Sequence, residues 1–328
     1  MASVIIAGVG SYAPARVLTN RELAMTVDTS DEWIFSRSGI RERRIAADDE
    51  ACSDLALKAA TTALADAKMS AAEIDLLIVA TTSPDQPLPS TACIVQHKLG
   101  VPAHATCFDI AAACSGFLYA LEIAYGQLLT NRYKRALIIG AEKLSSVTDW
   151  NDRTTCVLFG DAAGAAVLTK VAQPDIGILG SDLGADGKFA DNLYIPAGGS
   201  RRPTSTKSVA ERGHFIRMNG REVFKSAVRV METVAREMME QHHLTPDQIS
   251  LMIPHQANIR IIESLASSLN MPMEKVYVNL DRYGNTSSAS IPLALDEARR
   301  SGRIKPGDLT LLVAFGAGLT YGATLIRW

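Results

Sequence analysis

Ser70-Ala71-Ala72-Glu73-Ile74-Asp75-Leu76-Leu77-Ile78 and Thr245-Pro246-Asp247-Gln248-Ile249-Ser250-Leu251-Met252-Ile253 are two versions of one passage. In each, a short polar turn follows a helical stretch, ending near Lys68 in the first and near His243 in the second. Each turn leads into a run of apolar residues, the pattern of a strand buried on both faces of a parallel sheet. The likeness continues outward. Both passages run through a loop into another helix, ending at Leu99-Gly100-Val101-Pro102 and at Leu269-Asn270-Met271-Pro272. A strand, a turn of small residues, a helix and a closing strand ending in glycine then follow in both. The turns occupy residues 111–116 and 284–290. This repetition predicts an α/β protein of two duplicated halves, residues 1–170 and 171–328, facing each other with a site between them.

Strands are expected over residues 74–80, 136–139, 250–253 and 309–314. A helix is expected over 53–68, with Leu55, Ala59, Ala63 and Ala67 on one face and Ser53 as its N-cap. Residues 198–207 are polar and read as an exposed loop.

At 328 residues, 47% hydrophobic, with a net charge of -2, the chain reads as soluble and globular, with no positive excess for nucleic acid. The apolar run Val4-Ile5-Ile6-Ala7-Gly8-Val9 lacks a basic flank and is too short for a signal core. No stretch approaches a membrane span, so a cytoplasmic location is expected. The 5 cysteines are odd in number, scattered and free of CxxC pairs, which argues against a disulfide framework. Neither cysteines nor histidines stand at metal-ligand spacing, and no metal is expected.

Cys114 is the first candidate for chemistry. It follows the apolar stretch Phe108-Asp109-Ile110-Ala111-Ala112-Ala113 and precedes the helix-compatible Phe117-Leu118-Tyr119-Ala120-Leu121. A cysteine where a strand turns into a helix lies near unpaired N–H groups and the positive end of the helix dipole. Both favour the thiolate that attacks a thioester. Taken alone, the stretch also fits a buried core cysteine. His255 ends the run Leu251-Met252-Ile253-Pro254, and Pro254 stops the strand. Reactive groups gather at that carboxyl end of α/β sheets, although a structural histidine fits there too. Asn285 lies in Tyr283-Gly284-Asn285-Thr286-Ser287-Ser288-Ala289-Ser290. That many small residues fit a backbone packed closely on another element with one amide facing a cavity. A turn asparagine is the plainer alternative. Gly316-Ala317-Gly318, after the strand Leu311-Leu312-Val313-Ala314-Phe315, offers backbone N–H groups to an oxyanion or simply turns the chain.

Together these segments resemble the 3-oxoacyl-[acyl-carrier-protein] synthase III family over the full length of the chain. The resemblance rests on Thr29-Ser30-Asp31-Glu32-Trp33-Ile34, residues 109–117, Phe159-Gly160-Asp161 and Met218-Asn219-Gly220-Arg221-Glu222-Val223-Phe224. It rests equally on Pro254-His255-Gln256-Ala257-Asn258, Gly284-Asn285-Thr286-Ser287 and Phe315-Gly316-Ala317-Gly318. One departure is Asp161-Ala162-Ala163-Gly164, where the family usually shows glycine after the aspartate; local packing accounts for it.

The resemblance implies a thiolase-like fold in α-β-α-β-α layers, assembled as a homodimer. It implies a Cys114, His255 and Asn285 triad, with the backbone N–H groups of Cys114 and Gly316 as the oxyanion hole. The implied substrates are an acyl-CoA and malonyl-acyl carrier protein, carried on CoA and phosphopantetheine thioesters, with no resident cofactor. Trp33, Arg37 and Arg153 would hold the CoA nucleotide. Asn219 and Phe224 would line the pantetheine tunnel, and Lys225 and Arg260 would dock the acidic carrier protein. Leu88 and Phe315 belong to the expected acyl pocket, Leu88 by reaching across the dimer interface.

A degradative thiolase would need a second cysteine near the C-terminal glycine turn, and no cysteine follows Cys156. An elongating synthase would carry a second histidine where Asn285 stands. A priming paralogue of a quinolone or polyketide pathway, and a non-catalytic acyl-CoA-binding protein, are the remaining alternatives.

Overall fold

The computed structural model describes residues 3–328. The chain begins β1 (Ser3–Tyr12), β2 (Arg16–Thr19), α1 (Asn20–Leu23), α2 (Asp31–Ser38), β3 (Glu42–Ile45), α3 (Cys52–Ala67) and β4 (Leu76–Ala80). It continues with α4 (Thr91–Leu99), β5 (Thr106–Ile110), α5 (Gly116–Leu129), β6 (Arg135–Glu142) and β7 (Ala162–Val171). Then come β8 (Gly177–Ala185), β9 (Leu193–Tyr194), α6 (Thr206–Ala210), β10 (Arg217–Met218), α7 (Gly220–Gln241) and β11 (Leu251–Pro254). Last are α8 (Ile259–Ser268), α9 (Leu280–Tyr283), α10 (Ser290–Arg300), β12 (Leu309–Gly316) and β13 (Thr320–Arg327).

Two sheets repeat one plan. The first has the order β1-β7-β6-β4-β5, the second β8-β13-β12-β11. In each, the strands at one end, β6-β4-β5 and β12-β11, run parallel, and the two strands at the other end, β1-β7 and β8-β13, pair antiparallel. Among the described residues the second sheet has no counterpart to β5 beyond a single parallel bridge of Val276 to Met252. A side chain explains the missing strand. The Gln256 amide donates to the Tyr277 carbonyl at 3.0 Å and accepts from the Asn279 N–H at 3.0 Å. Those backbone groups are thereby satisfied without a strand partner.

Side-chain alternation divides the core into layers. Leu77 and Val79 of β4 pack with α3 and α4 on the outer face of the first sheet. Leu76 and Ile78 face inward, onto α5 and α10. Leu312 and Ala314 of β12 meet the same two helices from the other side. Leu311, Val313 and Phe315 face α7 and α8 on the far surface. The order is α-β-α-β-α, the thiolase-like architecture. The central α5 is apolar around most of its circumference, as a helix covered by two sheets must be.

The expected helix over 53–68 is α3, but its N-cap is Ala51 rather than Ser53. The Asp54 carboxylate accepts from the Ala51 N–H at 2.9 Å, and the Ser53 hydroxyl is committed to Asp85 at 2.6 Å. The polar loop from 198 ends earlier than expected, because Ser205 caps the short α6. Asp161 is buried and accepts from Ala46 N, Ser145 N and Ser145 Oγ. The methyl of Ala162 packs with Ala289 and Leu293, filling space that glycine would leave empty. Among the described residues no helix is long and apolar enough to cross a membrane.

Candidate active site

β5 ends at Ile110, and the chain turns sharply before α5. Ala113 has φ 47°, a left-handed conformation costly for a residue with a Cβ, and heads a 3-10 turn, Ala113–Ser115. Cys114 sits in that turn, 8% exposed, directly before the α5 N-terminus. The second half repeats the elbow. Ser287, also at φ 47°, heads the turn Ser287–Ala289 before α10. Ser288 holds the place of Cys114 there, but its hydroxyl lies 2.8 Å from the Ala80 carbonyl and 2.9 Å from the buried Glu142 carboxylate. It joins the two halves and is not free to react.

The second elbow also packs against the first sheet. A Cβ on Gly140 of β6 would collide with the Ser288 carbonyl. This is the close backbone approach expected from the small residues of 284–290. Gly284, at φ 66° and ψ -160°, sets up the turn, and a Cβ there would lie 2.6 Å from the Leu158 carbonyl. Asn285 is fixed next to it. Its N–H donates to Leu158 O at 2.8 Å, and its carbonyl accepts from Gly160 N at 3.0 Å. Its side-chain Oδ1 accepts from Ser287 N at 2.9 Å, so the Nδ2 donors are turned toward the cavity that Asn285 lines.

His255 follows β11 directly. Its N–H donates to Val313 O at 2.8 Å, and its ring packs edge-on against Phe315 with centroids 5.5 Å apart. The ring is fully buried, Nδ1 lies 2.6 Å from Ser290 Oγ, and Nε2 has no partner among the described residues. Burial lowers its pKa to about 3, so the imidazole is neutral.

Cys114, His255 and Asn285 line one tunnel of about 130 Å³, together with Phe159, Phe224, Asn258 and Phe315. Cys114 also borders a second, apolar cavity of about 260 Å³ formed by Leu144, Val147, Ile195 and Ile216. The sulfur thus stands where a narrow entry meets a greasy chamber. Burial pushes the Cys114 thiol up to about 12, and the Glu142 charge adds to this, while Ser287 pulls the other way. Burial thus keeps the resting group a thiol, and the α5 N-terminus, expected to favour the attacking thiolate, acts on the charge as it forms.

The other expected positions divide. Trp33 has two guanidiniums over its ring, Arg37 at 4.9 Å and Arg153 at 5.4 Å from the ring centroid. The Arg37 carbonyl accepts from Asn258, which lines the tunnel, so this cluster adjoins the tunnel mouth. Phe224 lines the tunnel, whereas Asn219 stands exposed between its lining residues Met218 and Gly220. Lys225 is exposed beside Glu222, and exposed Arg260 donates to the Ser36 carbonyl. Leu88 is 84% exposed and lines neither cavity. Phe315 lies with His255 in the tunnel rather than in the apolar chamber, because the β12 alternation points it to that face.

Gly316 is packed on the nucleophile's backbone, where a Cβ would come 2.6 Å from Cys114 N. Ala317, one residue past the final Gly316–Thr320 pair of the ladder, lines the apolar chamber beside Cys114. Its N–H has no partner among the described residues, making it a candidate oxyanion donor within the Gly316-Ala317-Gly318 turn, beside the expected Gly316. Ser287 and Ser290 were missed. Their only signal was the unexplained richness of hydroxyls in residues 286–290. Among the described residues no group of three or more His, Cys, Asp or Glu gathers as a metal-ligand set.

Two family models match. One, 3-oxoacyl-[acyl-carrier-protein (ACP)] synthase III, spans residues 108–187, and its C-terminal counterpart spans residues 239–328. The chain is 54% identical to a beta-ketoacyl-[acyl-carrier-protein] synthase III of Caldanaerobacter subterraneus subsp. tengcongensis, covering 98% of this chain and 97% of the relative. Its fold superposes on the crystal structure of the 3-oxoacyl-[acyl-carrier-protein] synthase III of Aquifex aeolicus VF5. The TM-score is 0.92 at 49% identity, over 99% of this chain and 100% of the other. The priming beta-ketosynthase of the R1128 polyketide biosynthetic pathway is similar at 37% identity and TM-score 0.91, over 99% and 96% of the two chains. With half its sequence shared across nearly full-length relatives and the elbows, tunnel and chamber in one arrangement, the chain belongs to the 3-oxoacyl-[acyl-carrier-protein] synthase III family.

Proposed function

We propose that the chain catalyses the decarboxylating condensation of an acyl-CoA primer with malonyl-acyl carrier protein, through an acyl-Cys114 intermediate, as the first condensation of fatty-acid synthesis. The observation that supports this most is the meeting of Cys114, His255 and Asn285 on one tunnel that opens at the sulfur into an apolar chamber.

In the first half-reaction the Cys114 sulfur attacks the acyl thioester carbonyl. The thiol proton leaves with the departing CoA as its free thiol. The N–H groups of Cys114 and of the Gly316-Ala317 turn stabilise the tetrahedral oxyanion, and the acyl tail enters the chamber. Malonyl-carrier protein then occupies the tunnel. Loss of carbon dioxide leaves an enolate, whose oxygen accepts hydrogen bonds from His255 Nε2–H and Asn285 Nδ2. The enolate carbon attacks acyl-Cys114, the new C–C bond forms, and Cys114 leaves as thiolate.

Residues 1–170 supply the nucleophile and residues 171–328 the two donors, as duplicated halves. Trp33, Arg37 and Arg153 hold the CoA nucleotide by stacking and charge, with Asn219 and Phe224 along the pantetheine. Lys225 and Arg260 dock the carrier protein. The protein works as a cytoplasmic homodimer with no resident cofactor.

The experiment is intact-mass detection of acyl-Cys114 after mixing with acetyl-CoA, paired with a product assay on malonyl-carrier protein. Wild type should gain one acetyl group and release a 3-oxoacyl product, while Cys114→Ser should do neither. An acylated wild type that makes no product, or product from Cys114→Ser, would contradict the proposal.

A further inference from the structure

Ser290 opens α10 and is 1% exposed. Its Oγ lies 2.6 Å from His255 Nδ1 and 3.5 Å from the backbone N of Gln256. The geometry points to Ser290 as the positioning residue that fixes the tautomer of His255, holding the ring proton on Nε2 and turning that nitrogen into a donor toward the tunnel. This rests on the reading of His255 as a donor to the enolate.

The inference follows from where the protons can go. The Gln256 N–H donates to Oγ, so Oγ already accepts one bond. The serine hydroxyl has one proton to give, and Nδ1 is the acceptor within reach among the described residues. Were Nδ1 protonated, its N–H and the serine O–H would compete for one contact, and the buried O–H would be stranded. Nε2 would then present only a lone pair and could donate to nothing. With O–H donating to Nδ1, every group is satisfied except Nε2–H, which has no partner among the described residues. Burial keeps the ring neutral, so it carries a single proton and the choice of nitrogen decides its chemistry.

The duplication gives independent support. Counting from the two elbows, Ser290 stands where the first half has Gly116, three residues past Ala113. A hydroxyl is present in the copy that faces a histidine and absent in the copy that carries the cysteine.

The test is nitrogen-15 NMR of the histidine-labelled full-length protein, with the His255 signals assigned by their loss in His255→Gln, alongside both half-reactions. Wild type should show the Nε2–H tautomer, and Ser290→Ala should move the ring toward Nδ1–H. In Ser290→Ala, malonyl-carrier-protein decarboxylation should slow by roughly tenfold or more, toward the roughly 100-fold loss of one oxyanion donor, while Cys114 acylation changes less than about threefold. A wild-type ring on the Nδ1–H tautomer would overturn the proposal. So would a slowed Ser290→Ala whose tautomer is unchanged, the mark of a merely structural role. If His255→Gln decarboxylates at the wild-type rate, the donor reading of His255 falls, and the proposal falls with it.

Discussion

Arg37 and Arg153 both stand within 5.4 Å of the Trp33 ring centroid, so positive charge is already gathered at the indole before a nucleotide arrives. Replacing Arg37 by Ala removes one charge-assisted contact and should weaken acyl-CoA binding by roughly 1–3 kcal/mol. The Michaelis constant for acyl-CoA should rise and that for malonyl-carrier protein should change less. An unchanged acyl-CoA value would sink the assignment. His255 makes a second prediction at this scale. Its folded pKa, lowered to about 3, lies below the ordinary 6.5, so the unfolded chain takes up the proton first as pH falls. The ring should therefore show no NMR titration between about pH 8 and about pH 5, and His255 should cost the fold stability as pH drops below about 6.5. A ring titrating near its ordinary value would contradict its buried, neutral state. Cys114 and His255 were legible because each follows the end of a strand, and strand ends are visible as breaks in apolar runs. Ser290 was not. A serine at a helix start looks like a cap. Its role depends on which atom faces which partner, and residue type alone does not encode that.

At the level of elements, the two elbows place the chemistry. Both begin with a non-glycine residue at φ 47°, and the second is wedged against β6 at Gly140. Gly284 makes the second elbow possible, since its φ of 66° and the nearby Leu158 carbonyl leave no room for a Cβ. Gly284→Ala should destabilise the fold by roughly 1–3 kcal/mol, the scale of a strained backbone residue. It should also reduce condensation beyond the loss of folded protein, because Asn285 shifts with the turn. Thermal unfolding and the specific activity of the folded fraction check this, and a variant of wild-type stability and rate would contradict it. The duplicated plan was legible in the paired passages at 70–78 and 245–253, where both polar turns and apolar runs repeat. The missing fifth strand of the second sheet was not, because the Gln256 side chain replaces a strand's hydrogen bonds at Tyr277 and Asn279. The α3 cap was misplaced for a similar reason: the Ser53 hydroxyl is drawn to Asp85, a residue distant in sequence.

For the whole molecule, the apolar chamber of about 260 Å³ leaves room beyond an acetyl group, and Leu88 stands 84% exposed outside it. The family resemblance implies a homodimer in which Leu88 would reach across to floor the chamber of the partner subunit. Each methylene that fits adds roughly 0.8 kcal/mol of transfer energy, so primers longer than acetyl should acylate Cys114. Leu88→Phe should slow hexanoyl- and octanoyl-CoA selectively while sparing acetyl-CoA. A wild type confined to acetyl, or an unchanged chain-length profile in the variant, would remove Leu88 as the determinant. The central claim is that the two halves divide one reaction: the first contributes the nucleophile, the second the donors that stabilise the enolate. The measurement that tests it most directly follows both half-reactions in His255→Ala and Asn285→Ala, by intact mass for acyl-Cys114 and by release of labelled carbon dioxide from malonyl-carrier protein. Both variants should retain most of the acylation and lose most of the decarboxylation. Equal loss of both half-reactions, or decarboxylation that survives in either variant, would contradict the division.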